Sequence, residues 1–284
     1  MSRNVTMLDM KTLIKALVFL FKIFAFIVFA WAIFSLFTPA KKDRDWNTDQ
    51  AILPQISVTG DKVAIKNIRD FEYRSTTDYT PRYYDKTFSL DKIRSVDYMV
   101  EPFSGNSGAA HTLVSFGFDD GSYVAISVEI RKEKGEKFSP VKGLLRQYEL
   151  MYVIADERDV IKLRSNYRKD QVFLYPMKAS REQARALFLD MLARAQKLQD
   201  KPEMYNTLTS TCITNIISHV NKLSPDRVPW NKSVLFPANS DRYAYDLGLI
   251  DTDLSFEEAR KRFSINERAE KYADSPQFSK MIRQ

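Results

Sequence analysis

An apolar run near the N-terminus sets the strongest limit on what this chain can fold into. Residues 16–37 are apolar apart from Lys22 and Ser35. A helix over this run is long enough to cross a bilayer core of roughly 30 Å. About 240 residues follow the run, which is enough for one domain with its own core. The sequence therefore predicts one transmembrane helix and a single folded domain after it.

The charges on either side of the run predict its orientation. Segment 1–22 has a net charge of +3, whereas Lys41, Lys42 and Arg44 after the run are offset by two aspartates to +1. Because the more basic flank stays in the cytoplasm, the folded region is expected on the other side of the membrane. We expect a retained anchor; the alternative is a cleaved signal that ends at the small-residue stretch 38–40.

The net charge of +7 argues against nucleic acid as a partner once its distribution is considered. Residues 1–45 hold seven Lys/Arg and three Asp, a net charge of +4, so the rest of the chain carries 7 − 4 = +3. That remainder has no tract of five basic residues, which would mark a surface that follows a phosphate backbone.

Composition divides the chain into an anchor (1–40), a polar linker (41–52), a domain (53–254) and a charged helical tail (255–284). Alternating apolar residues and turn signals predict strands in the first part of the domain, and helical periodicity follows in the second part. This order is typical of the α+β class, with an antiparallel sheet packed against helices. The expected strands cover 62–65, the hairpin 111–131, 150–155, 160–163 and 172–176.

The hairpin can be paired residue by residue. Its apolar positions share one face only if the numbers of paired residues have an even sum, which excludes a two-residue loop. A three-residue loop, 119–121, meets this condition and puts Gly121 where a left-handed residue is needed. Phe118 then pairs with Ser122, and His111 lies opposite Glu129.

Three helices are expected after the strands. The capping box at 180–183 begins a helix that ends near Gln199. Residues 209–211 supply N-cap candidates for a second helix, which places Cys212 in its first turn. A last helix begins at the capping box 255–258 and covers most of the tail.

Cys212 is the only cysteine, so the chain forms no intramolecular disulfide. A thiol in the first turn of a helix is activated by the helix dipole and by free backbone N–H groups. His111 with Glu129 supplies a base and the carboxylate that orients it. The alternative is a buried inert Cys212, a structural His111 and a Glu129 that pairs with an arginine. His219 lies two turns from Cys212, about 10 Å away, and is expected to be a cation near the helix C-terminus.

Other residues suggest substrate contacts. Tyr205 and Asn206, just before the cysteine helix, are expected either to line the pocket or to build the turn. Arg131 and Arg164 are expected to bind lipid phosphates or to form ion pairs within the sheet. Two histidines and one cysteine are too few, at these spacings, for a metal site, and no cofactor is expected.

The stretches AAHTLVSFGFDDGSYVAISVEIRKEKGE, GLLRQYELMYVIADERDVIKLR, LFLDMLARAQKL, YNTLTSTCITNI and DRYAYDLGLID resemble the bacterial Lnb N-terminal periplasmic domain, over about residues 55–250. That family is named after a lipoprotein N-acyltransferase. The resemblance implies a permuted, NlpC-like papain fold, with Cys212 as nucleophile and His111 as base. The cysteine is flanked here by Thr211 and Ile213, where the family often has Asn and Thr.

Two functions from different classes follow. The first is an anchored periplasmic thiol acyltransferase or hydrolase of the bacterial inner membrane. It forms an acyl-thioester at Cys212 from a lipid, lipoprotein or cell-envelope amide or ester and passes the acyl group to a lipoprotein or to water. The resemblance implies membrane lipid or lipoprotein as partner. The second is an inert module that binds an envelope partner through an aromatic surface at Tyr79, Tyr83 and Tyr84.

Overall fold

The computed structural model describes residues 10–37, 39–105, 108–224 and 227–284, and the chain divides into two units, 1–40 and 41–284. The first unit holds helix α1 (Met10–Phe37). Its stretch Thr12–Phe34 has a mean hydropathy of 2.6, and in the described ranges it is the one helix long and apolar enough to cross a membrane. The predicted N-terminal apolar helix is confirmed.

The second unit is built on strands, which are β1 Gln55–Thr59, β2 Lys62–Arg69, β3 Glu72–Tyr73, β4 Tyr79–Thr80, β5 Tyr83–Ser89, β6 Ile93–Pro102, β7 Ala110–Phe118, β8 Tyr123–Arg131, β9 Glu149–Asp156 and β10 Phe173–Pro176. Eight of them form one sheet with the order β1-β2-β9-β8-β7-β6-β10, in which β5 pairs with β2. Neighbouring strands are antiparallel except β2 and β9, which are parallel. Strands β3 and β4 form a separate small sheet.

Helices flank this sheet, and the described residues combine α and β structure as the predicted α+β class requires. The long helix α4 begins with the predicted capping box, in which the Ser180 and Gln183 side chains bond each other's backbone N–H. The helices of this unit are α2 Pro140–Leu144, α3 Glu157–Lys162, α4 Arg181–Asp200, α5 Cys212–Leu223, α6 Lys232–Leu235, α7 Ser240–Asp246, α8 Phe256–Phe263, α9 Asn266–Lys271 and α10 Phe278–Met281.

The β7–β8 hairpin has the predicted register. Leu113 faces Ser127 and Gly117 faces Tyr123, so each pair has the sum 240. The turn closes with a 3.0 Å hydrogen bond from the Phe118 N–H to the Ser122 carbonyl oxygen, and Gly121 has a φ of 79°. A side chain at Gly121 would be strained in this left-handed conformation.

Each face of the sheet has its own core. On one face Phe116 and Phe118 pack against Phe188 of α4, with ring centroids 4.9 and 5.8 Å apart. On the other face a second cluster joins strand residues such as Leu113 to Phe278 of α10. Both faces are therefore covered, which explains why β7 is buried along its whole length.

The strand predicted at 160–163 is wrong, because these residues continue helix α3 into a π-helical turn at 163–167. Asp156 caps α3 by accepting a 2.9 Å hydrogen bond from the Arg158 N–H. Val160 and Ile161 are buried in the second core. A short β-branched run fits a strand or a buried helix equally well, and the cap decides for the helix.

The tail forms three short helices, not the single one predicted. The predicted start holds, since the Glu258 carboxylate accepts a 3.0 Å hydrogen bond from the Ser255 N–H. The first helix of the tail ends at Phe263. The next residue, Ser264, has an extended backbone and forms a β-bridge with Phe173 of β10, and the Ile265 N–H donates a 3.0 Å hydrogen bond to the Val172 carbonyl oxygen. Further along, the Arg283 guanidinium donates a 2.8 Å hydrogen bond to Asp97 and lies 3.9 Å from the Tyr123 ring centroid.

Residues 41–52, expected to be a linker, belong to the second unit. Trp46 is buried, and the Arg131 guanidinium stacks on its ring at 4.2 Å. Arg131 also donates hydrogen bonds of 2.9 and 2.7 Å to the carbonyl oxygens of Gln50 and Ala51. This segment is therefore tied by its backbone to the C-terminal end of the central strand β8.

Candidate active site

The lone thiol lies at the first residue of helix α5, and Cys212 is buried. Thr211 is the N-cap, and its hydroxyl accepts a hydrogen bond from the Thr214 N–H while Thr214 bonds back to the Thr211 N–H. The Asn215 N–H bonds to the Thr211 carbonyl oxygen. The N–H groups of Cys212 and Ile213 bond to no residue that the structure describes, so they remain available at the positive end of the helix dipole.

His111 lies at the start of β7, where the sheet meets the N-terminal end of α5. Its Nε2 is 3.2 Å from Oε1 of Glu129, as the predicted hairpin register requires. The Ser127 hydroxyl lies between them, 2.7 Å from His111 Nε2, and donates a 2.7 Å hydrogen bond to the Glu129 carboxylate. The imidazole is thus fixed on one side by a carboxylate and a hydroxyl.

The thiol and the imidazole shift each other's pKa. Burial alone would raise the pKa of Cys212, but its hydrogen bond with His111 and the charge of that ring outweigh burial, and the pKa is lowered. Burial alone would lower the pKa of His111, but the charge of Glu129 and the contact with Cys212 outweigh it and raise the pKa to about 10. The charged form of each group therefore favours the charged form of the other.

Arg164, in the π-helical turn, holds the carboxylate in place. Its Nη2 donates a 3.0 Å hydrogen bond to Glu129, and its Nε donates one of 2.7 Å to Glu101. Glu101 is fully buried on β6 and pairs with His111 of the neighbouring strand β7. Burial would raise the pKa of Glu129, but His111 and Arg164 outweigh it and keep the pKa well below its usual range. The carboxylate stays charged beside the imidazole.

Sequence reasoning missed Ser127 and Glu101 and left the role of Arg164 open. Two signals were present. Ser127 and Glu129 are polar at alternate positions of an otherwise apolar strand, which indicates that both point to the same place. Glu101 lies in a strand whose neighbours are buried, and a buried carboxylate needs a charged partner.

A cavity of about 440 Å³ opens beside the thiol. Cys212, His111 and Glu129 lie on its wall together with the guanidinium groups of Arg69 and Arg164. Much of the remaining wall is apolar, formed by Phe103, Val128, Ile130, Phe138, Pro140, Leu163, Val234, Leu235, Phe236 and Pro237. This combination suits a substrate that has an apolar portion and a polar or anionic group.

The residues predicted to bind substrate separate into two groups. Tyr205 lines the cavity, and its pKa is raised by burial and by the charges of Cys212 and Glu129, so its hydroxyl keeps its proton. Asn206 builds the turn, where its Oδ1 accepts hydrogen bonds from the N–H groups of Leu208 and Thr209. Arg131 is not on the cavity wall, because it is held by the segment 41–52.

His219 has a different setting from the one expected for an exposed helix cation. It is buried, with Nε2 2.7 Å from the Tyr152 hydroxyl and Nδ1 2.7 Å from the Asp190 carboxylate. Burial lowers its pKa, and the bond with Asp190 does not offset this. The ring is neutral near pH 7 and joins α5 to β9 and α4.

The tyrosines of the alternative binding surface are engaged in packing. Tyr79 stacks on Phe71 at 5.2 Å, and Tyr83 meets the same ring edge-on at 5.4 Å. Tyr84 donates a 3.1 Å hydrogen bond to Asp156. These contacts leave the three rings partly buried.

The described residues contain no group of three or more His, Cys, Asp or Glu that could hold a metal ion.

The family model of the Lnb N-terminal periplasmic domain matches residues 79–239, more than half of the chain, and this range includes His111, Glu129 and Cys212. No curated protein and no solved structure matches. With one N-terminal helix suited to span a membrane, the chain belongs to the Lnb N-terminal periplasmic domain family of envelope-associated proteins.

Proposed function

We propose that this protein is a membrane-anchored periplasmic thiol enzyme that forms an acyl-thioester at Cys212 and passes the acyl group to an amine or to water. The observation that carries the proposal is the alignment of Cys212, His111 and Glu129 beside a largely apolar cavity. The acyl donor is a membrane lipid and the preferred acceptor is the amino terminus of a lipoprotein, in line with the acyltransferase that gives the family its name.

In the first step the Cys212 thiolate attacks the carbonyl carbon of an acyl ester. The carbonyl electrons move to oxygen and return as the carbon–oxygen bond to the leaving alcohol breaks, and the His111 imidazolium gives that alcohol its proton. Glu129 keeps the ring oriented throughout, because it is fixed by Ser127 and Arg164.

In the second step the acceptor amine or water attacks the thioester carbon. His111, now neutral, takes the proton of the acceptor, and the carbon–sulfur bond breaks to regenerate the thiolate. The same residues therefore serve transfer and hydrolysis. The acceptor decides which of the two reactions takes place.

Oxyanion stabilisation is assigned to the groups nearest the sulfur. The N–H groups of Cys212 and Ile213 are free of other bonds to described residues, and the Tyr205 hydroxyl stays protonated beside them. Backbone donors at a helix N-terminus stabilise an oxyanion without reorganisation, because they are fixed before the reaction begins. Tyr205 is proposed as an additional donor.

The permuted papain-like arrangement belongs to the same proposal. Its support is the order of the chain, in which the histidine strand β7 precedes the cysteine helix α5 and the carboxylate follows on the adjacent strand β8. The proposed topology puts the N-terminus in the cytoplasm and the second unit in the periplasm, where lipid donors are close at hand.

The test is acyl transfer from an ester probe to the full chain in mild detergent. We expect p-nitrophenyl decanoate to add one decanoyl group to the wild-type protein, to be released by neutral hydroxylamine as a thioester is. The Cys212→Ala variant should gain none. Intact mass spectrometry measures the adduct, and a lipopeptide with a free amino terminus, added afterwards, should take up the acyl group.

His219→Gln is the matched control, because His219 lies on the same helix as Cys212 and the change leaves His111 in place. It should still be acylated. An adduct of equal yield in Cys212→Ala, or none in a folded wild-type protein whose thiol also alkylates slowly, would refute the proposal and favour the inert binding module.

A further inference from the structure

The mouth of the Cys212 cavity has an exposed apolar lip on one side. Phe138 lies on the cavity wall and is exposed, and Val141 and Leu144 of helix α2 follow it. Leu208, in the loop before α5, belongs to the same lip. Val141 is the most exposed of the four, at 63%.

Hydrogen bonds hold this lip together. The Thr207 hydroxyl donates a 2.9 Å bond to the Pro140 carbonyl oxygen, and the Asn206 amide donates one of 3.2 Å to that of Leu144. At Gly143, an added Cβ would lie 2.4 Å from the Thr207 hydroxyl oxygen and 3.0 Å from the Tyr205 ring. The loop and α2 are therefore packed as one ridge, and its apolar side chains point outward because of this packing.

A second apolar lip is formed by the segment that leads into and through helix α6. Leu235 and Phe236, at the end of α6, line the cavity and are exposed. Trp230, two residues before α6 begins, is 70% exposed. Large apolar side chains gathered at a cavity mouth indicate a surface that is covered in use. We refer to the two lips together as the collar.

The collar is also basic. Its three segments, 137–146, 205–212 and 227–236, hold five Lys/Arg and no Asp or Glu, while Glu136 and Asp226 directly precede two of them. Glu136 forms a 3.6 Å ion pair with Lys142, so four of the five basic side chains carry the excess charge. By comparison, all of residues 46–284 have a net charge of +3. A protein partner chosen for the apolar side chains alone would not need this charge, whereas basic side chains around an apolar patch match an anionic lipid surface.

The sequence also ties the second unit to the candidate membrane span by a short connection. The second unit begins at Lys41, seven residues after the last residue of the candidate span. Seven residues reach at most about 25 Å when fully extended. The membrane is therefore the surface that this unit meets at the highest local concentration.

We propose that the collar docks on an anionic phospholipid bilayer, so that Phe138, Val141, Leu208 and Trp230 enter the headgroup region and the Cys212 cavity opens toward the lipid. This docking goes beyond the thiol chemistry and does not require it. If both hold, an acyl chain can pass from the bilayer to the cavity without crossing water.

The experiment uses the full chain in proteoliposomes of phosphatidylglycerol and phosphatidylcholine. Trp31, which lies in the candidate span, is replaced (Trp31→Phe), and Trp46 stays because it is buried. Lipids brominated on the acyl chain near the headgroup quench a tryptophan that inserts. We expect bromine-dependent loss of emission that disappears in Trp230→Phe, and that is weaker in liposomes of phosphatidylcholine alone.

The double change Val141→Asp and Leu208→Asp should abolish this quenching. Val58→Asp is the matched control, since Val58 is 50% exposed on β1 outside the collar, and it should leave the quenching intact. Near-UV circular dichroism checks that each variant is folded. Cys212→Ala should be quenched like the parent, which separates docking from the thiol reaction.

Three results would overturn the proposal. One is emission that bromine does not change in the Trp31→Phe chain. Another is equal quenching in the two lipid compositions, which would remove the role of the basic side chains. The third is shielding of Trp230 that depends on protein concentration but not on lipid, because a second copy of the chain would then cover the collar.

Discussion

A buried histidine lies near each end of helix α5, and the two behave in opposite ways. His111, on strand β7, lies beside the N-terminal end, and His219 belongs to the helix itself, toward its C-terminal end. At the N-terminal end the pKa of His111 is raised to about 10, while toward the C-terminal end the pKa of His219 is lowered. Each ring has a carboxylate within hydrogen-bonding distance, Glu129 for His111 and Asp190 for His219. A carboxylate alone therefore does not decide the charge of a buried imidazole.

The difference lies in what else surrounds each pair. His111 has Cys212 as a second neighbour that raises its pKa, in addition to Glu129. Asp190 is shared with Lys222, and the positive charges of Arg194 and Lys222 act on His219. Burial penalises the charged ring in both places, so the balance of nearby charge decides the outcome. One end of the helix is suited to proton transfer and the other to structural support.

The largest expected difference concerns the reactivity of Cys212. His111→Gln should slow iodoacetamide alkylation at pH 6.5 by about 10- to 100-fold, because the thiol then returns toward its ordinary pKa near 8.5 and little thiolate remains. His219→Gln should leave the rate nearly unchanged. Equal slowing by both variants would mean that helix α5, not the imidazole, controls the thiol.

Replacement of the two carboxylates should affect alkylation of Cys212 in the same order as replacement of the two histidines, but by a smaller factor. Glu129→Gln removes the charge that raises the pKa of His111, and we expect alkylation of Cys212 to slow by about tenfold. Asp190→Asn changes the matching group of His219 and should have little effect. Rates measured from pH 5 to 9 on the full chain in detergent test this, and an unshifted profile in Glu129→Gln would contradict it.

The smallest effect concerns stability, and its sign differs between the histidines. A raised pKa in the folded state stabilises below the ordinary value of 6.5, and this stabilisation is lost as pH rises. A lowered pKa means that the unfolded chain binds the proton more readily, so stability is lost as pH falls below 6.5. Each histidine is compared with its Gln variant, and the expected change in the free energy of unfolding is about 1 kcal/mol or more. The contribution of His111 should fall as pH rises above 6.5, and that of His219 should fall as pH drops below 6.5.

Urea unfolding of the full chain in detergent, followed by near-UV circular dichroism, measures these slopes. The His111 comparison is made in a Cys212→Ser chain, because the thiol titrates in the opposite sense while Glu129 still raises the pKa of His111. Slopes of the same sign would contradict the contrast between the two ends of the helix.

The sequence was sufficient where a local rule determines the geometry. The even-sum rule for the hairpin gave the pairing of Phe118 with Ser122 and brought His111 beside Glu129. The capping box at 180–183 predicted the start of α4, and the N-cap candidates at 209–211 placed Cys212 in the first turn of α5. Each of these results depends on residues close together in the chain or joined by one tight turn.

Features that depend on distant pairing could not be predicted in this way. Arg164 reaches Glu101 and Glu129 from the π-helical turn at 163–167, which follows residues that were expected to form a strand. No spacing in the sequence links these three residues. Arg131 was expected to bind lipid phosphates or to form an ion pair within the sheet, and its hydrogen bonds to the backbone of segment 41–52 were not foreseen. The apolar lips come together only because separate segments pack around one cavity.

The second face of the sheet is closed by residues from the tail, and this affects how the protein is made. Ile265, Phe278 and Ile282 cover that face, and Arg283 joins Asp97 to Glu157. During synthesis, strands β6–β9 emerge long before these residues do. Until residues 265–283 have been made, one apolar side of the sheet is open to other chains, so this protein is expected to need a chaperone during the interval.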